Sequence, residues 1–145
     1  MLETGSPPID AQRAFARAAR SRRRAALLAR LRVRPPRCLP VFDERSIARG
    51  VLRPRRHILE IPLCSIAGTV EPSRAAQFDR DFRPAPIARR RWERVWLAEQ
   101  RGAALPPISV VPVQDGFAVR DGHHRVSVAR ARGALTIDAM VEAGP

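Results

Sequence analysis

Apolar positions recur at helical spacing from Asp10 to about Leu31, where Ala11, Ala14, Phe15, Ala18 and Ala19 share one face and Arg13, Arg17, Arg20 and Arg24 share another. The pattern predicts a basic amphipathic helix. Its apolar side is mostly alanine and buries little area, so the helix is expected to lean on the domain or on a partner. Arg34-Pro35-Pro36-Arg37 should end it, because proline lacks the amide hydrogen and restricts the residue before it. Asp43 is a candidate cap for a short second helix running to about Arg49, with Gly50 as its stop.

From His57 the pattern changes. His57-Ile58-Leu59-Glu60-Ile61-Pro62-Leu63 reads as a strand, and residues 68 to 88, with their prolines, glycine and charges, read as loop. Ala88 to Arg101 reads as a helix with Trp92, Val95 and Trp96 on one side and Gly102 just beyond. Ile108 to Val113 predicts a strand, Asp115-Gly116 a hairpin turn, and Phe117 to Arg120 the returning strand. A helix to Arg132 follows, stopped at Gly133, and Thr136 to Val141 predicts a last strand. The fold class expected is α+β: a small mixed sheet with packed helices, preceded by a basic helical arm.

Charge sharpens this division. The 145 residues carry 27 basic side chains, all arginine, against 14 acidic ones. Residues 1 to 57 hold 15 arginines and 4 acids, whereas residues 58 to 145 hold 12 arginines and 10 acids. Residues 1 to 57 therefore read as an arginine-rich arm and residues 58 to 145 as the globular domain. The balance excludes an acidic tail or a calcium buffer and favours anionic partners, although an arginine- and alanine-rich composition also follows from GC-rich coding. The longest uncharged stretch, Gly102 to Gln114, is shorter than the roughly 18 apolar residues of a membrane span. No basic segment followed by an apolar run opens the chain, so a cytoplasmic location is expected. Cys38 and Cys64 stand far apart without a CxxC partner and support neither a disulfide framework nor a zinc site.

The chemistry concentrates at Asp121-Gly122-His123-His124-Arg125. A strand running through glycine into a helix presents free backbone amides to an anion. His124 and Arg125 fall in the first turn, where the helix dipole already places positive charge, so a docked phosphate would relieve a standing repulsion. Arginine can grip phosphate with two parallel bonds and histidine can donate one. The alternatives are a solvated basic turn, with Asp121 as a plain helix cap, and a metal site on His123 and His124 that lacks a completed ligand set. Trp92 and Trp96, four residues apart, either face the sheet or stack on a base, and helix-spaced aromatics more often face a core.

The run Pro106-Pro107-Ile108-Ser109-Val110, then Asp115-Gly116-Phe117-Ala118-Val119-Arg120, then Asp121-Gly122-His123-His124-Arg125-Val126-Ser127-Val128-Ala129-Arg130 and Gly133, resembles the ParB/sulfiredoxin superfamily. With the earlier Ile61-Pro62-Leu63 to Ile66 segment the resemblance covers roughly residues 58 to 142. ParB proteins bind CTP at the corresponding Gly-x-x-Arg turn and sulfiredoxin binds ATP. An archaeal free-serine kinase of the same fold is similar in carrying Asp-Gly-His-His-Arg. The resemblance implies that Gly122, His123, His124 and Arg125 hold nucleotide phosphates. It also implies that Asp121 holds Mg²⁺ or takes a proton from an attacking hydroxyl, and that Glu71 is the nearby candidate for the kinase's upstream base. Sulfiredoxin's catalytic cysteine falls at His123, so sulfinic acid reduction is not expected. The sequence continues only about twenty residues past the motif, so the helix-turn-helix and dimerisation parts of a partition protein are not expected either.

Two function classes follow. One is a nucleotide-binding module for CTP or ATP with Mg²⁺, with or without hydrolysis or phosphoryl transfer. The other is a DNA-binding or regulatory protein in which Arg13, Arg17, Arg20 and Arg24 contact nucleic-acid phosphates, or in which the arm docks on a protein.

Overall fold

The computed structural model describes residues 5–33, 38–47 and 57–142. The first helix, α1 (Pro7–Leu31), opens with prolines in its first turn, where their missing amide hydrogens cost nothing. It does lean on the domain. Ala11, Ala14 and Phe15 belong to the main hydrophobic cluster, and the Phe15 ring meets Trp92 edge to face at 5.5 Å. Alanine is what permits this: with so little side chain, α1 can lie close enough for Phe15 to reach the core. The expected proline break at residues 34 to 37, and the stop at Gly50, lie outside the described residues. The second helix is shorter than expected, a single 3₁₀ turn over Glu44–Ser46, with the Asp43 carboxylate accepting from the Ser46 amide at 3.0 Å.

Among the described residues the sheet holds five strands: β1 (His57–Pro62), β2 (Ile66–Thr69), β3 (Ile108–Val113), β4 (Gly116–Asp121) and β5 (Thr136–Val141). Their spatial order is β1-β5-β3-β4-β2. β1 with β5 and β3 with β4 are antiparallel, while β3 with β5 and β2 with β4 are parallel. This is an α+β fold with a mixed sheet and an N-terminal helix. The reading of residues 68 to 88 as loop misses a short helix, α2 (Pro72–Ala75), and a 3₁₀ turn over Pro86–Ala88.

Alternation along β3 covers both faces of the sheet. Ile108 and Val110 point into the large cluster beneath α1, α3 (Arg89–Gln100) and α4 (His123–Ala131). Val111 and Val113 point the other way, into a smaller cluster closed by Ile47 and Phe42. That second layer is tied to β2 by the Phe42 amide donating to Thr69 O at 2.8 Å and the Thr69 amide donating to Pro40 O at 2.9 Å. Trp92 is fully buried, stacks on Trp96, and donates its indole hydrogen to Ser127 Oγ at 2.8 Å. The tryptophans therefore join α3 to α4 as core. Arg132 locks the same pair: its guanidinium lies 3.7 Å over the Trp96 ring and pairs with Glu99 at 3.0 Å.

Candidate functional site at the start of helix α4

β4 ends at Asp121, and Gly122 turns the chain into α4 with φ 102° and ψ 21°. Glycine is required here for two reasons. The left-handed angle is costly for any side chain, and a Cβ at this point would lie 2.5 Å from Ile108 Cγ2. The turn is thus wedged directly under β3. No side chain caps α4, so the amides of its first turn have no side-chain acceptor at Gly122.

The elbow is more covered than its sequence suggests. Gly122, His123 and His124 are buried, and α4 is enclosed on nearly every side, with Val126, Ser127, Val128 and Ala129 buried as well. His123 Nε2 lies 2.6 Å from Thr69 Oγ1. The Thr69 hydroxyl also accepts from the Glu71 amide at 2.9 Å and donates to Val119 O at 3.1 Å. This network closes when Nε2 carries the ring hydrogen, so the His123 side chain is committed to Thr69 and what it can offer an anion is its backbone amide. Phe78 covers both imidazoles, stacked against His123 at 6.4 Å and edge-on to His124 at 5.2 Å.

Arg125 is largely committed too. Its guanidinium donates to the carbonyls of Pro106 and Pro107, the latter at 3.0 Å, and pairs with Asp121 at 2.9 Å. It therefore pins the approach to β3 onto α4. The Asp121 carboxylate, 74% exposed, is open to solvent on its other side. Glu71 is half-buried, and its main chain is one Thr69 hydroxyl away from the His123 ring. The structure thus gathers Asp121, Gly122, His123, His124, Arg125 and the Glu71 backbone around one turn.

The electrostatics name two residues that the sequence did not single out. Both imidazoles are held far below the ordinary histidine range, at about 4, with burial as the first cause. The next cause is Arg74 for His123 and Arg91 for His124, with Asp121 opposing both. Arg74 stands on α2 and Arg91 on α3, and neither has a carboxylate within ion-pair distance among the described residues. Both histidines are neutral at neutral pH, and the charges of Arg74 and Arg91, neither in an ion pair among the described residues, bear on them against that of Asp121. Thr69, Phe78, Arg74 and Arg91 carry no motif. They join the site only because β2 and the 70–91 segment fold over α4.

Other sequence candidates lie elsewhere. Arg13, Arg17, Arg20 and Arg24 are exposed along α1. Cys38 and Cys64 are both free and exposed. Among the described residues no group of three or more His, Cys, Asp or Glu side chains could hold a metal ion by itself. No helix among them is long and apolar enough to cross a membrane. No family model matches the chain, and no curated protein or solved structure matches it either.

Proposed function

We propose that the chain is a nucleotide-binding module of the ParB/sulfiredoxin type, which takes the polyphosphate of CTP or ATP at the start of α4. The observation that carries this reading is the pair Arg74 and Arg91, two guanidiniums without carboxylate partners that bear on the same uncapped helix start. Positive charge left uncompensated beside a helix N-terminus is stabilised by an anion, and guanidinium matches phosphate geometry. Because Gly122 and the two imidazoles are covered, the phosphates meet the rim of the turn, and Phe78 withdraws if His124 is to donate as well. Arg125 acts here mainly by holding the Pro106–Pro107 carbonyls and Asp121 in place.

A solvent-facing carboxylate next to a phosphate site suits Mg²⁺, which commonly takes one or two carboxylates plus phosphate oxygens. In this reading Asp121 would hold the ion, whose charge would offset that of the phosphates. Where transfer follows, Asp121 or Glu71 would take the proton of the attacking hydroxyl, whose oxygen bonds the terminal phosphorus as the nucleoside diphosphate leaves.

The test is titration calorimetry of CTP, ATP and GTP with and without Mg²⁺, on the full chain and on Arg74→Ala/Arg91→Ala. Both substitutions remove charge without removing an ion pair, so the fold should stand. At least tenfold weaker nucleotide binding in the double variant is expected. Unchanged affinity, or no heat from any nucleotide with the wild-type chain, rejects the reading.

A second reading rests on the exposed stripe of Arg13, Arg20 and Arg24 on α1. There α1 contacts DNA phosphates and the nucleotide regulates that contact. Reversing the charge of these three arginines to glutamate should abolish DNA retention at low salt. It should also flatten the dependence of affinity on salt concentration, since each lost phosphate contact removes released counterions. Retention with an undiminished salt slope would assign DNA contact to another surface.

A further inference from the structure

A cavity of about 670 Å³ lies on the far side of α4 from Asp121, bounded by α1, the β1–β2 turn, the 81–84 loop and the second half of α4. It shares no residue with the Asp121–Arg125 turn. Its size falls in the range of small-molecule sites. Most of its wall is apolar, formed by Ala14 and Ala18 of α1, Leu63, Phe82, Pro84 and the Trp96 edge. Into this apolar wall is set Arg130.

Arg130 is a cation with no carboxylate in direct contact: Asp81 and Asp79 bear on it only at longer range and are paired with Arg83. It donates to Leu63 O at 2.9 Å and lies over the Phe82 ring at 5.5 Å, and its Nε is buried with no acceptor. No carboxylate stands within ion-pair distance of it among the described residues. Burial holds its pKa below the usual arginine value. A half-buried cation in an apolar wall is destabilised until an anion compensates it.

The wall beside Arg130 is built stiff. Phe82 is wholly buried yet adopts φ 58°, a conformation unfavourable for a bulky residue. It is held there by Asp79, whose Oδ1 accepts from the amides of Asp81 and Arg83, both at 2.9 Å. Arg83 is itself paired with Asp79 at 3.4 Å and Asp81 at 2.9 Å. Arg17 and Arg83 also line the cavity, and Arg83 is held by Asp79 and by the one carboxylate of the lining, that of Asp81. A single negative charge on an apolar body suits Arg130 and the apolar wall around it.

We propose that this cavity binds a small amphipathic carboxylate: a ring or compact apolar body seated between Ala18, Leu63 and Phe82, with its one carboxylate on Arg130. The wall is pre-formed, so little ordering opposes binding.

The probes are 2-naphthoate and its neutral isostere 2-naphthamide, titrated separately into the full chain by calorimetry. Naphthoate is expected to bind, and naphthamide at least tenfold more weakly. Cys64→Trp, at an exposed position on the cavity wall, should abolish naphthoate binding without touching Arg130. Arg130→Met should bring the two affinities together. Because Arg130 also holds the Leu63 carbonyl, the decisive comparisons are the isostere pair and Cys64→Trp, which leave that arginine in place. Equal affinity for acid and amide, no binding of naphthoate at millimolar concentration, or full naphthoate binding by Cys64→Trp each overturns the proposal. None of these outcomes bears on the nucleotide reading, which uses other residues.

Discussion

Lowering the pH from 6.5 to about 4 is expected to remove several kcal/mol of folding stability, through two imidazoles in one helical turn. Unfolded histidine titrates near 6.5, whereas His123 and His124 titrate at about 4 in the fold. Between those values the unfolded chain binds more protons than the folded one, so stability falls as pH falls and the loss is complete once both forms are protonated. Each ring contributes on the order of 2–3 kcal/mol, a large share of the stability of a small domain. The physical cause is burial beneath Phe78, reinforced by Arg74 and Arg91. Urea denaturation at a series of pH values from 7 to 5 should show a slope that disappears in His123→Gln/His124→Gln. A slope of the same size in that variant would mean that the two rings are not what acid attacks.

Gly122→Ala is the second large effect, with an expected cost of about 3 kcal/mol. The added methyl meets Ile108 Cγ2 at 2.5 Å and Ile108 Cβ at 2.9 Å, in a backbone conformation with φ 102° that alanine resists. Both penalties act at once, and Ile108 is itself buried in β3 and has little room to move. Pairing the change with Ile108→Ala gives a double-mutant cycle. The two substitutions together should cost less than the sum of their separate effects, because the smaller residue relieves the clash. Additive costs, or a Gly122→Ala chain within about 0.5 kcal/mol of wild type, would show that the elbow is not wedged under β3.

How far the structure is legible from the chain depends on what holds each part. β3 and β5 have the bounds that alternation and turn residues predict, Ile108–Val113 and Thr136–Val141. Local pattern decides them: Asp115-Gly116 signals a hairpin, although the turn falls one residue earlier, at Gln114-Asp115, with Gly116 already paired with Val113 in β4, and glycines of positive φ at 102 and 133 mark the helix ends. The 68–88 segment is not legible in this way. Its order comes from the Asp79 carboxylate bridging two amides and from Phe78 and Phe82 dropping into the core, contacts with no periodicity. The reading of residues 1 to 57 as an arm that leans on the domain or on a partner leaves open how closely α1 packs. Ala11, Ala14 and Phe15 join the main core because small side chains permit close packing, which charge counting does not register.

At the candidate site, the strand–glycine–helix turn is visible in the residues themselves. Its cover is not. Thr69 reaches His123 from 54 positions away, and Phe78, Arg74 and Arg91 arrive from segments without a motif. The sequence places the elbow correctly between β4 and α4, but how exposed it is depends on tertiary packing alone.

The position of β5 has a consequence for how the chain is made. The last strand is an inner one: it lies between β1 and β3, and β1 has β5 as its sheet neighbour, from His57 paired with Val141 to Pro62 paired with Thr136. β5 leaves the ribosome roughly eighty residues after β1, a delay of about 4 to 16 seconds at ordinary elongation rates. Throughout that interval Ile58, Leu59 and Ile61 belong to a nascent segment with unpaired backbone, the state in which holding chaperones engage a polypeptide.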